Sequence, residues 1–259
     1  MRGYTWASTD KGAVAYVNLY RDQGVVLRTY KLGEADRIVV LLSQGEGKVR
    51  AVAKGVRKTR SRFGGRLEPF SHVDLSLYRG RGELDTVTQV EVIHPFRGLR
   101  EDYDRVTAGA AVLEAVDQVA QEREASLRLY LLLLRALRAL DAQPRDPSVV
   151  LDAFLLKLMA LEGYRPAVQE CAACGGDGPY RRFSAARGGA LCERCAGGQE
   201  SVLDQGTVAL LAELLGGDLD RAARAAPPAL SRREAGTLVK SFVEYHLDRR
   251  LRSYPLVAR

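Results

Sequence analysis

Cysteine is missing from this sequence except in one window, where all four stand as Cys171, Cys174, Cys192 and Cys195. The dispersed cysteines of a disulfide-stapled secreted domain are therefore excluded. Long hydrophobic runs are missing as well. The longest is Leu129–Leu134, closed by Arg128 and Arg135, far short of the roughly 20 apolar residues that cross a bilayer. Residues 1–20 carry no apolar block of an export signal. A soluble, cytoplasmic chain with reduced thiols is expected. Histidine is scarce: His72, His94 and His246 stand in no catalytic pattern and read as structural or surface residues. The phosphate-cradling G-x-x-x-x-G-K-[ST] loop is absent, as are G-x-S-x-G, H-E-x-x-H and the H-x-E with P-C-x-x-C of the zinc deaminases. The acidic cluster Glu101, Asp102 and Asp104 opens a helical pattern and reads as helix capping rather than a metal site.

Between Gly47 and Arg66 the missing residue type is acid. That stretch holds Lys48, Arg50, Lys54, Arg57, Lys58, Arg60, Arg62 and Arg66 without one carboxylate. The whole chain of 259 residues carries +7, distributed as +7 over residues 1–97, −3 over 98–170 and +3 over 171–259. A single-sign stretch of this kind is an electrostatic footprint for a polyanion. A solvated charged loop would give the same composition.

The cysteines form C-x-x-C, seventeen residues, C-x-x-C. This spacing lets two tight turns each present a sulfur pair to one tetrahedral zinc ion. Four protein ligands leave no open coordination position, so the expected zinc is structural.

Periodicity divides the rest. Residues 1–22 show no assignable pattern: a loose tail or an added strand. From residue 23 to about 97 the pattern is β. Val25–Leu27 leads toward Tyr30, Ile38–Leu42 is a buried apolar run, and Val49, Ala51 and Ala53 alternate with Lys48, Arg50 and Val52. Gln44–Gly47 makes a hairpin of the second and third strands. Two further strands follow a long basic connection. Five short strands fit a small barrel of the OB type, whose closure removes exposed edges; an SH3-like barrel fits the strand count nearly as well. Tyr30, Phe63, Phe70 and Tyr78 are candidate base-stacking platforms. Phe70 and Tyr78 read better as barrel core, and Phe63, inside the basic connection, does not.

Past Pro95 the pattern changes to helix, and residues 98–259 are expected to form a helical domain. Val106, Ala110, Leu113 and Val116 share one face, and Leu127, Tyr130, Leu131, Leu134 and Leu137 another. Asp146-Pro147 is a cap followed by proline at the first helical position. Val202 to Leu215 reads as helix, ended by Gly216-Gly217. Ser231-Arg232-Arg233-Glu234 reads as a capping box opening the last helix, which carries Leu238, Phe242, Tyr245 and Leu247.

In order along the chain, Val26–Asp36 (VLRTYKLGEAD), Gly47-Lys48, Ala53–Lys58 (AKGVRK), Leu67–Phe70 (LEPF), the cysteine window and Phe242–Leu247 with Leu251–Tyr254 resemble the pattern of the RecO family of bacterial recombination mediators. The resemblance covers residues 24–255. It implies an α+β multidomain fold: an amino-terminal OB-fold barrel, then an all-α domain with a four-cysteine zinc element, residues 171–195, inserted. It also implies a DNA-repair protein, not an enzyme, that binds single- and double-stranded DNA and anneals complementary strands. The implied partners are RecR and the single-strand-binding protein, with RecA loaded onto coated DNA near the nucleoid. No membrane or small-molecule substrate is implied. An RNA-binding module and an OB-plus-zinc nucleotidyl transferase are the alternatives, the latter disfavoured because no adenylation motif is present.

Overall fold

The computed structural model describes residues 18–58, 61, 63–80 and 82–258. Five strands, β1 (Leu19–Leu32), β2 (Asp36–Ser43), β3 (Gly47–Ala53), β4 (His72–Tyr78) and β5 (Asp85–His94), close into a barrel in the order β1-β2-β3-β5-β4. β1 pairs antiparallel with both β2 and β4, and β3 meets β5 in parallel through Ala51 and Val52. This topology, rather than strand count, selects the OB type over the SH3-like alternative. β1 begins at Leu19, inside the stretch assigned to an extension. Leu19 pairs with Tyr78 and Asp22 with Leu75, so residues 19–22 are barrel. Residues 1–17 lie outside the described residues.

The apolar runs of β1 and β2 are continuous because both faces are covered. Val26, Val39 and Leu41 fill the barrel, whereas Val25, Leu27, Val40 and Leu42 join the core of the helical region. Each such side chain contributes roughly 1.5–3 kcal/mol of burial. β3 faces water on one side, and its alternation survives: Val49, Ala51 and Ala53 are buried, and Lys48, Arg50 and Val52 are half-buried.

The helical part comprises α1 (Arg97–Arg100), α2 (Tyr103–Val119), α3 (Leu127–Asp141), α4 (Pro147–Leu161), α5 (Gln205–Gly216), α6 (Leu219–Arg224) and α7 (Ala229–Leu247). α4 is the central rod, packing against α2, α3, α5, α6 and α7. Its Val150, Phe154 and Leu158 are fully buried. Asp102 caps α2 by accepting from the Arg105 N–H, and Asp146 caps α4 by accepting from the Ser148 N–H.

Three sequence readings are corrected. In α3, Tyr130, Leu134 and Leu137 are buried, but Leu127 and Leu131 are exposed; the covered face runs through Leu129, Leu133 and Leu140. The segment from Val202 opens as a short strand, β8 (Ser201–Val202), and α5 starts behind an Asp204 cap. α7 begins at Ala229, two residues ahead of the proposed capping box. Ser231 is buried inside the helix, and Glu234 instead accepts from the Thr207 hydroxyl.

The barrel is tied to the helices by polar contacts as well. Lys48 exchanges backbone hydrogen bonds with the loop between α2 and α3, from its N–H to Gln121 O at 3.0 Å and from the Arg123 N–H to its own carbonyl at 3.2 Å. Gly47 sits at φ 69°, and a Cβ there would lie 2.0 Å from the Glu124 carbonyl oxygen. Beneath this contact Asp85, fully buried, accepts from Arg123 at 2.7 Å and from the Tyr20 hydroxyl. Burial, with Asp85 alongside, pushes the Tyr20 phenol up to about 12.

Candidate nucleic-acid interface and metal centre

The cysteine window folds as the antiparallel hairpin β6 (Tyr180–Ser184) and β7 (Gly189–Cys192), with β8 beside β6. Two turns carry the thiols. Gly175 N–H bonds to Cys171 O, and the N–H groups of Cys195 and Ala196 bond to Cys192 O. All four sulfurs lie within 4.8 Å of one another, and Cys174 Sγ is 3.9 Å from Cys192 Sγ. Metal–sulfur bonds of about 2.3 Å in a tetrahedron require sulfur–sulfur edges of roughly 3.8 Å. Cys171, Cys174, Cys192 and Cys195 therefore fit a single tetrahedral ion. Burial raises the Cys171 thiol, but the N–H groups of Cys192, Ala173 and Cys174 more than offset this and hold it down at about 6. The Cys195 N–H likewise lowers Cys192. The neighbouring sulfurs, Cys174 first, push Cys195 up to about 12. A bound cation would favour the thiolate at Cys195 against this repulsion. The element is anchored to the helices. Phe183 packs edge-on against Phe242 with ring centroids 6.0 Å apart, and the Tyr180 hydroxyl donates to Gln169 O at 2.6 Å.

The basic stretch divides by role. Lys48 turns inward, its Nζ donating to Asp117 O at 2.8 Å and standing 3.7 Å from the Asp117 carboxylate. Arg50 pairs with Glu83 at 3.2 Å and reaches Glu122 at 4.0 Å. These two hold barrel to loop. The turn after β3 instead presents Lys54, Arg57 and Lys58 outward. Asp36 fixes this turn by accepting from the Gly55 N–H at 2.7 Å. Arg57 donates to the carbonyls of Gly33 and Glu34, which pulls the turn onto the β1–β2 connection. Arg66 is exposed on the turn Gly64–Leu67. Arg60 and Arg62 fall outside the described residues.

Tyr30 is 43% exposed on β1, with the Arg28 guanidinium 5.0 Å from its ring centroid and Lys31 exposed beside it. It is a candidate platform near the basic turn, since β1 and β2 are joined at Leu32–Asp36, where Arg57 donates to the carbonyls of Gly33 and Glu34. Phe63 is not a platform: it is 1% exposed and belongs to the barrel core with Val26, Leu41 and Leu75. Tyr78, read as core, is exposed at the end of β4. Phe70 is core, at the barrel–helix junction under Arg100.

Each histidine has a structural partner. His72 Nε2 lies 2.7 Å from the Tyr130 hydroxyl, and His94 Nδ1 accepts from the Phe96 N–H at 3.1 Å. His246 stacks on Tyr164 and packs against Phe242. What the sequence hid is the Tyr20–Asp85–Arg123 node, whose members are 65 and 38 positions apart. The only local sign was an aspartate entering a strand otherwise marked by valine and threonine.

Comparison with known proteins agrees with this architecture. The family model described as Recombination protein O N terminal matches residues 17–96, and that described as Recombination protein O C terminal matches residues 100–255. A "DNA repair protein RecO" of Nocardioides sp. is 51% identical over 248 residues, 93% of this chain and 100% of that protein. Proteins of the same description from Frankia casuarinae and Thermobifida fusca are 48% and 47% identical, over 93% and 94% of this chain and 99% and 100% of their own lengths. The chain, with its OB-type barrel, helical domain and four-cysteine cluster, belongs to the RecO family of DNA repair proteins.

Proposed function

We propose that this protein is a non-catalytic recombination mediator: it binds single- and double-stranded DNA, anneals complementary strands and, with RecR, helps load RecA onto DNA coated by the single-strand-binding protein. The observation that carries the DNA-binding part is the outward turn Lys54–Lys58 beside Tyr30 on a closed OB-type barrel. Such a barrel holds single strands by combining cations that track phosphates with rings that stack bases. Among the eight cations named from the sequence, Lys54, Arg57, Lys58 and Arg66 are the exposed ones in the described residues and are assigned to phosphate contact. Lys48 and Arg50 are assigned to holding the barrel on the helices. The ion at the four cysteines is zinc in a structural role, since four thiolates suit zinc and leave it no open position.

The test is salt-dependent binding to a single-stranded oligonucleotide, with wild type beside a Lys54→Glu, Arg57→Glu, Lys58→Glu variant. The variant should bind more weakly whatever the base sequence, with the slope of log affinity against log salt reduced by about 0.7 for each phosphate no longer held. Unchanged affinity would remove the barrel from the interface.

A further inference from the structure

We propose that the nucleic-acid track does not end on the barrel but crosses the barrel–helix junction and continues along the carboxyl-terminal end of α7, so that one strand is held by both parts of the molecule. The inference rests on the reading of the barrel as a single-strand binder and extends it to a surface of different sequence origin.

The end of α7 is built for such a role. A concavity of about 570 Å³ there is lined by Lys240, Ser241, Tyr245, Arg249 and Arg250. Among the described residues, none of the three cations forms an ion pair. Of the two acids at the site, Glu244 is occupied as acceptor of the Leu251 N–H at 3.3 Å, and Asp248 closes the helix in a left-handed conformation. Against the three cations stand these two carboxylates and a helix carboxyl terminus carrying about half a negative charge, which leave the end of α7 a small positive excess. Tyr245 is 55% exposed, and its ring is set edge-on against His246 at 5.2 Å. His246 is in turn fixed between Tyr164 and Phe242. An exposed ring held by other rings is a stacking platform that loses little freedom when a base covers it.

The path between the two surfaces is continuous. Arg28, over Tyr30, lines a groove of about 420 Å³ whose far wall is Arg252 and Ser253. The acids of this groove are engaged. Asp117 pairs with Arg28 at 3.0 Å, and Glu114 accepts from the N–H groups of Arg252 and Ser253 at 2.8 Å each. The Arg252 guanidinium has no ion-pair partner among the described residues. Gln118 bonds to the Arg250 carbonyl at 3.3 Å, which seats Arg249 and Arg250 on the α2 side of the molecule, next to the groove. Cations and rings thus follow one another from Tyr30 to Tyr245.

The test uses two single-stranded oligonucleotides, one within the reach of a single OB fold, roughly 4–16 nucleotides, and one about three times longer. A Lys240→Gln, Arg249→Gln, Arg250→Gln variant should bind the short strand like wild type and the long strand more weakly, with its salt slope lowered by about 2. Photocrosslinking of a halouracil-substituted long strand to wild-type protein should label Tyr245. Equal binding of the long strand by variant and wild type, or equal losses on both strands, would overturn the track, as would labelling that spares residues 240–252. The Lys54→Glu, Arg57→Glu, Lys58→Glu variant separates the two readings. If it binds both strands normally, the barrel assignment is what fails. If it is defective while the α7 variant is not, the continuation alone fails.

Discussion

His72 shows what a single buried polar group imposes. It sits in β4 against Tyr130 of α3, and burial pushes its pKa down from the ordinary 6.5 to about 4, with repulsion from Arg138 in the same direction. An unfolded chain takes up this proton near pH 6.5, whereas the folded chain resists until about pH 4. Stability should therefore fall as pH drops between those values, by at most about 1.4 kcal/mol per pH unit from this group, and should be indifferent to it above pH 7. Urea midpoints at pH 7 and pH 5 would check this: a His72→Gln variant should lose less on acidification than wild type. Burial lowers His246 too, so some acid sensitivity remains in the variant. Gly47 is constrained differently. Its left-handed φ and the 2.0 Å approach of Glu124 O leave no room for a methyl group. Gly47→Ala should cost at least about 1–3 kcal/mol, read as a lowered denaturant midpoint. Neither residue announced this in the sequence. A lone histidine in a strand pattern and a glycine in a hairpin turn look alike in proteins where nothing packs on them.

Among the elements, the cysteine hairpin is the one that the proposed structural zinc would hold in shape. Its strands are short, five and four residues, and too few to hold alone. Replacing Cys171 and Cys174 with serine should abolish stoichiometric zinc by elemental analysis and lower the melting temperature. Proteolysis should then cut first within residues 171–200, since Phe183 on Phe242 is left to hold the hairpin. Retained zinc in the double variant would refute the ligand assignment. The clustering of the four thiols was legible, because cysteines in a spaced pair of pairs identify one another without reference to the fold. The barrel strands were legible through period two and through Gln44–Gly47. The helix boundaries near Val202 and Ser231 were not. There local capping patterns competed with tertiary partners, and the partners prevailed: Glu234 bonds to Thr207 rather than to its own helix start.

For the molecule as a whole, the proposed annealing needs positive surface more than chemistry. Bringing two strands together is opposed by phosphate repulsion, which bound lysine and arginine side chains offset. Duplex formation from labelled complementary oligonucleotides should be accelerated by the protein in EDTA and without nucleotide, and should slow as salt rises. Acceleration that required ATP hydrolysis would refute the reading and restore a transferase. The charge asymmetry along the sequence placed the barrel correctly as the basic end. It could not show that Lys48 and Arg50 are engaged by Asp117, Glu83 and Glu122, because ion-pair partners 33 to 72 positions away leave no local trace.

The two-sided strands β1 and β2 carry a consequence for binding thermodynamics. Since Val25, Leu27, Val40 and Leu42 belong to the helical core, barrel and helices share interior and move as one body. Under the proposed function, a docking strand meets a barrel and helices already fixed to each other. No hinge has to be immobilised on contact, and the entropy that a tethered pair of domains would surrender at that step is given up once, when the chain folds.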